Sequence, residues 1–142
     1  MNKCFYILGL DVGTLNVGVA ISQNVTKIAY PLGTFKIFRG IFYNWGEMDK
    51  IFDEWKLIHT IVVGLPLNMD GTEQNFTFEV KKFSNRLQNR FNCRVVLHDE
   101  RLSTFEARCE LLNNRKNRRF NKKLIDAKAA AVILESWLQQ EI

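Results

Sequence analysis

Apolar positions follow two rhythms along this chain, and the change from one to the other predicts its elements. Residues 4–10, CFYILGL, are apolar throughout and run up to Asp11, as a buried strand would. Gly13, Thr14, Leu15 and Asn16 supply turn chemistry before a second strand, Val17 to Ile21. A third runs from near Ile28 to Phe38 and contains Pro31, which suits a sheet edge because proline donates no ladder hydrogen bond. The period then changes. Trp45, Met48, Phe52, Trp55 and Ile58 recur at three and four, which predicts a helix, with Asn44 and Glu47 as a capping pair. Thr60 to Gly64, TIVVG, is the short β-branched run of a strand buried on both faces. Beyond the loop Leu65–Gly71, Thr72 is placed to cap a helix striped by Phe76, Val80, Phe83, Leu87 and Phe91. Arg94 to Leu97 forms another strand. Ser103 and Glu106 make a capping box for a helix with Phe105, Cys109 and Leu112 inward. Leu124 to Leu138 is apolar almost all round, as in a buried helix. Three hairpin-linked strands followed by alternating helices and strands predict a mixed α/β sheet with helices on its faces.

Composition narrows the class. The 142 residues carry no repeat, linker or low-complexity stretch, so one domain spanning 1–142 is expected. With 46% apolar residues, 11 Phe and 3 Trp, the chain has the means to build a core and is not a disordered one. No apolar run approaches the ~18 residues of a membrane span. The opening MNKCFYILGLDVG is too short in its apolar part for a signal peptide, and Asp11 interrupts it. A cytoplasmic protein without a membrane partner is therefore expected. Cys4, Cys93 and Cys109 are odd in number and lack CxxC spacing, which predicts reduced core residues. His59 and His98 are too few and too dispersed for a zinc site.

Charge changes the picture more. The net charge is +5, yet residues 113–123, NNRKNRRFNKK, hold six basic side chains and no acid. Elsewhere 14 basic residues face 15 acidic ones, a net of −1, so all the excess positive charge lies in this segment. Arg115, Lys116, Arg118, Arg119, Lys122 and Lys123 are the expected nucleic-acid contacts, since such groups bind phosphates with little sequence preference. Phe120 among them could stack on a base.

Three acids stand out against apolar surroundings. Asp11 ends an apolar strand, where α/β sheets open a ligand crevice, with Gly13 to let a phosphate approach and Thr14 to hydrogen-bond it. A plain Asx-type turn is the alternative there. Glu100 lies in His98-Asp99-Glu100-Arg101-Leu102-Ser103-Thr104, where a carboxylate could serve a metal while Arg101 meets a phosphate; a local Asp99–Arg101 ion pair is the rival reading. Asp126 shares a helical stripe with Ala130, Ile133 and Trp137, so it points toward apolar surroundings and wants a cation. That cation could also be Lys122 or Lys123, and a first-turn acid complementing the helix dipole is the plainer role. Converging carboxylates suit Mg²⁺ or Mn²⁺, and two such ions ~3.5–4 Å apart serve an in-line phosphoryl displacement. Asn68 and Asp70, in the loop after the TIVVG strand, read equally well as turn formers or as substrate contacts.

Four segments in order, ILGLDVGT, IVVGLPLNMDGTE, DERLST and IDAKAAAVILESWL, resemble the YqgF (RuvX) family. These are Holliday-junction-resolvase-like proteins regarded as nucleases for the 5′ end of precursor 16S ribosomal RNA. The resemblance spans nearly the whole chain. It implies an α/β, RNase H-like fold, a five-stranded mixed sheet in the order 3-2-1-4-5 flanked by helices. It further implies that Asp11, Glu100 and Asp126 are the acidic triad, the carboxylates expected to hold Mg²⁺ or Mn²⁺. Thr14, Arg101 and Thr104 are expected to join the basic segment in contacting nucleic acid. The chain departs from the family pattern at Leu15-Asn16, where a basic pair is usual, and at Gln23, where an aspartate is often found. Related resolvases place an acid at the end of the fourth strand; here Gly64-Leu65-Pro66 stands there, so Glu100 has to reach in from the neighbouring strand.

The expected activity is metal-dependent hydrolysis of phosphodiester bonds in structured RNA, with precursor rRNA and ribosomal particles as partners. Two rivals share the same residues: a resolvase of branched DNA, and an RNA-binding module that does not cut. A third, an actin-like ATPase, needs two such domains closing on ATP, and 142 residues supply one.

Overall fold

The computed structural model describes residues 4–99 and 122–140, with side chains in the last segment from Ile125 onward. The apolar opening segment becomes β1 (Tyr6–Val12), which turns back into β2 (Asn16–Gln23) and then β3 (Ala29–Phe38) as antiparallel neighbours. A two-residue strand, β4 (Ile41–Phe42), closes the meander. Next come α1 (Trp45–Glu54), β5 (Ile58–Leu65), α2 (Asn75–Phe91), β6 (Arg94–Asp99) and α3 (Lys122–Gln140). β5 pairs parallel with β1, and β6 parallel with β5. The result is a mixed α/β sheet of the RNase H-like kind, flanked by helices.

The strand count corrects the expectation. The sheet has six strands in the order β4-β3-β2-β1-β5-β6, so the five-stranded order 3-2-1-4-5 is not matched. Two residues are too few to show a period, which is why Ile41–Phe42 passes for loop in the sequence.

Side-chain alternation divides the interior into two cores. Leu8, Leu10 and Val12 of β1 face one side, where they meet Met48 and Ile51 of α1 and Val80, Phe83 and Leu87 of α2. Ile7, on the opposite pleat, joins Ala20, Ala29 and Val62 beneath Ala130, Ile133, Leu134 and Trp137 of α3. Small residues on this second face let α3 approach closely: a Cβ on Gly9 would lie 2.7 Å from the Leu134 Cβ and 3.1 Å from the Ala130 carbonyl oxygen.

Several local expectations shift. β1 extends through Asp11 to Val12 because β2 continues the ladder with Gly18 and Val17 opposite them. Ile58 belongs to β5, not to α1, whose last turn closes with the Trp55 N–H donating to the Ile51 carbonyl at 2.8 Å. Asn44 is the N-cap residue of α1, but its Oδ1 accepts from the Lys36 N–H of β3 at 2.8 Å while its Nδ2 donates to Glu47 at 2.9 Å. The side chain thus ties the helix to the sheet. The cap of α2 is Gln74, whose N–H donates to Thr77 Oγ1 at 3.1 Å, because Thr72 is engaged in the preceding turn. Cys93 is buried as expected, with its thiol pushed up by desolvation, whereas Cys4 is exposed. Cys109 and the helix expected from Ser103 lie outside the described residues. Among the described residues no helix is long and apolar enough to cross a membrane.

Candidate functional site

The pairing register fixes where Asp11 stands. Asp11 is half-buried on the pleat of Ile7 and Gly9, the face covered by α3. Its cross-strand partner is Gly18 of β2. A Cβ built on Gly18 would collide with the backbone carbonyl of Asp126 and sit 2.9 Å from the Ala127 nitrogen. The first turns of α3 therefore rest directly on the strand beside Asp11. A second register agrees. Gly9 lies under Ala130 and Leu134, and two residues along a strand cover nearly the same length as four along a helix, ~6–7 Å. Moving from Gly9 to Asp11 therefore moves from Ala130 to Asp126. Asp126 has one carboxylate oxygen out of contact with water. Two acids 115 positions apart in sequence thus lie on one face of the sheet, Asp11 on β1 and Asp126 where α3 packs on the neighbouring Gly18.

The same row crosses the sheet. One residue beyond the Leu10–Val63 pair, Asp11 is level with Gly64 of β5, and Gly64 pairs with His98 of β6. The carboxyl ends of β1, β5 and β6 thus meet at one edge. The backbone of Lys122 and Lys123 opens α3 toward that edge, where the helix N-terminus favours negative charge. His98 is buried on the α3 face with Nε2 2.9 Å from Ser136 Oγ. Burial holds its pKa below the usual histidine range, and Asp99 opposes this in part. The contact pins the end of β6 to α3. Sequence reading missed it, since the partners are 38 positions apart and neither has a local signature.

Thr14 sits exposed in the β1–β2 turn, which is closed by the Gly13 N–H donating to the Asn16 carbonyl at 2.7 Å. Asn68 and Asp70 act as turn formers. Thr72 donates from both its N–H and its hydroxyl to Asp70 Oδ1, at 3.0 and 2.6 Å, and Asn68 Nδ2 donates to Thr72 Oγ1 at 3.0 Å. Glu100, Arg101, Thr104, Arg115, Lys116, Arg118 and Arg119 lie outside the described residues. Among the described residues no three acids, histidines or cysteines gather into a metal cluster. Asp11 and Asp126 nevertheless fit a hard divalent cation in kind, since both offer carboxylate oxygens and Asp126 has one of them buried.

Known proteins resemble this chain in sequence and in fold. The chain is 49% identical over 135 residues to a protein of Proteus mirabilis, covering 95% of this chain and 96% of that one. It is 51% identical over 134 residues to one of Sodalis glossinidius, covering 94% of each. Both carry the name "Putative pre-16S rRNA nuclease". Two solved structures share the fold at low identity. The fowlpox virus resolvase with Holliday junction DNA has a TM-score of 0.56 at 12% identity, covering 97% of this chain and 99% of that one. Thermus thermophilus RuvC with its Holliday junction substrate has a TM-score of 0.56 at 9% identity, covering 96% and 95%. The family model described as RuvX, Holliday junction resolvase, matches residues 5–140, and with relatives near half identity over almost their whole length the chain belongs to the RuvX family.

Proposed function

We propose that this protein is a metal-dependent nuclease that hydrolyses phosphodiester bonds in structured RNA at the 5′ end of precursor 16S rRNA. The observation that supports the proposal is the packing of the Asp126 backbone on Gly18, the cross-strand partner of Asp11. Glu100, one residue beyond the end of β6, is the third acid of the reading. Asp11 and Asp126 would hold Mg²⁺ or Mn²⁺ with it, and the cation, when bound, supplies positive charge to stabilise the negative charge that develops on the phosphate. The carboxylates themselves orient an attacking water in line with the leaving oxygen. Thr14 offers a hydroxyl to a phosphate oxygen at the exposed turn, and Arg101 and Thr104 add donors after β6. The cations of 113–123 hold the backbone on either side, a contact that positions the strand without reading its sequence.

The test is cleavage of precursor 16S rRNA by wild type, Asp11→Asn, Asp126→Asn and Glu100→Gln in Mg²⁺ or Mn²⁺. Wild type is expected to cut and chelation to stop it. Each substitution should slow cutting by at least ~10²-fold, as loss of a group that stabilises the transition state does. A variant cutting at the wild-type rate removes that residue from the site, and chelator-resistant cutting removes the metal. Branched DNA is the second reading, favoured by the family description of RuvX as Holliday junction resolvase. A four-way junction cut faster than precursor rRNA would make it the first.

A further inference from the structure

A cavity of about 420 Å³ opens on the other side of the β1–β2 turn, lined by Gly13–Leu15, the turn Phe38–Gly40, and Phe76 and Glu79 of α2. We propose that it is a nucleobase site, taking one unstacked guanine of the strand whose phosphate lies at Asp11. Its volume falls in the ~300–1,000 Å³ range of small-ligand sites. It begins at Val12, the residue after Asp11, so a nucleotide whose phosphate reaches the Gly13–Thr14 turn carries its base within reach of this space.

The walls specify the ligand. Phe38, about half exposed, and Phe76 present aromatic surface, the platform on which unstacked bases settle. Arg39 lies 5.2 Å from the Phe38 ring centroid and brings a cation to the rim. Glu79 brings an anion, its carboxylate resting where a Cβ on Gly40 would fall, 2.5 Å away. Among the described residues the ion pairs are Lys81–Glu73 and Arg90–Asp49, so Arg39 and Glu79 are not paired to each other there. One cation with one anion disfavours a phosphate in the cavity and favours a neutral ligand carrying both donors and acceptors. Guanine offers two adjacent donors, N1–H and the N2 amino group, to a carboxylate. On its other edge O6 and N7 accept from a guanidinium. Uracil offers only one N–H donor.

The turn itself supports a role for Arg39. Arg39 and Gly40 both have positive φ, 50° and 78°, between the paired Phe38 and Ile41, which is the two-residue hairpin geometry that favours Asn-Gly. A long β-methylene side chain at the first of these positions is strained, and Arg86 of α2 fixes the turn by donating to the Gly40 carbonyl at 3.0 Å. Arginine there is a poor choice for folding and a useful one for gripping a base.

The inference rests on the nuclease reading, and the experiment separates the two. Amide NMR of the full chain is followed during titration with guanosine and with uridine, alongside cleavage of precursor rRNA. Guanosine should shift the Gly13, Thr14 and Gly40 amides saturably and more tightly than uridine. Phe38→Ala should weaken guanosine about tenfold, the size of one lost base stack. Glu79→Gln should narrow the preference over uridine, since only the guanidinium contact to O6 and N7 then remains to discriminate. Arg39→Asn should raise Tm yet weaken guanosine, opposite signs that a purely structural residue would not show. Guanosine leaving these amides unmoved, or uridine matching it, overturns the base site even if the RNA is cut. Guanosine bound there by a protein that cuts no nucleic acid leaves the site standing and removes the nuclease reading.

Discussion

Replacing Gly18 with alanine tests the contact on which the site is built. The added methyl group would meet backbone, which cannot swing aside as a side chain tip can. The Asp126 carbonyl oxygen would lie about an ångström inside the 3.0 Å limit for real Cβ contacts, and the Ala127 nitrogen would be at 2.9 Å. Relief requires the first turns of α3 to lift from β2 by roughly that ångström. Overpacking of this kind costs about 1–3 kcal/mol, and at ~2–4 °C per kcal/mol for a chain of this size Tm should fall by roughly 2–12 °C. Activity should fall further than stability, because a misplacement of ~1 Å in a reacting constellation costs about 10²-fold in rate. The assay is cleavage measured well below the variant's Tm, where the protein is folded, beside thermal unfolding. Gly9→Ala is the control. Its closest neighbour is the Leu134 side chain at 2.7 Å, two helical turns from Asp126, so it should lose stability with a smaller loss of rate. A Gly18→Ala protein that cuts at the wild-type rate with an unchanged Tm would refute the placement of Asp126 against β2.

Three further outcomes follow from the same geometry and charge. Removing two cations with Arg118→Ala and Arg119→Ala should weaken RNA binding about uniformly across sequences and lower the slope of log K against log salt by roughly 1–2, read from binding at several salt concentrations. His98→Ala removes the tie between β6 and Ser136 and should destabilise by about 1–3 kcal/mol in denaturant unfolding, with Ser136→Ala recovering part of the loss in the double variant, since no group then lacks its partner. Cys93 sets a pH dependence at the alkaline side. Burial raises its pKa above 9.0, so its contribution is fully present below pH 9.0 and declines above it, where the unfolded thiol ionises first and the unfolded state binds fewer protons. Stability of wild type minus Cys93→Ala, measured from pH 7.5 to about 10, should therefore shrink as pH rises; a constant difference would refute it.

Most of the element types and both core faces were legible without coordinates, because they depend on near neighbours. The alternation Ile7, Leu8, Gly9, Leu10 says that β1 has two covered faces, and the spacing of Val80, Phe83 and Leu87 says which stripe of α2 is inward. Asp11 at the end of an apolar strand and Asp126 on an apolar stripe were visible for the same reason. Local competition defeated the finer readings. Thr72 has the chemistry of a cap, but Asp70 takes its hydroxyl first, and α2 starts two residues beyond Gln74's neighbour Glu73. Tertiary structure alone decided the rest: the added strand β4, the His98–Ser136 tie, and the packing of Asp126 on Gly18, the strand partner of Asp11. Each joins residues whose separation along the chain leaves no periodic trace. A glycine's value as a point of close approach, in particular, exists only once a helix has been laid across it.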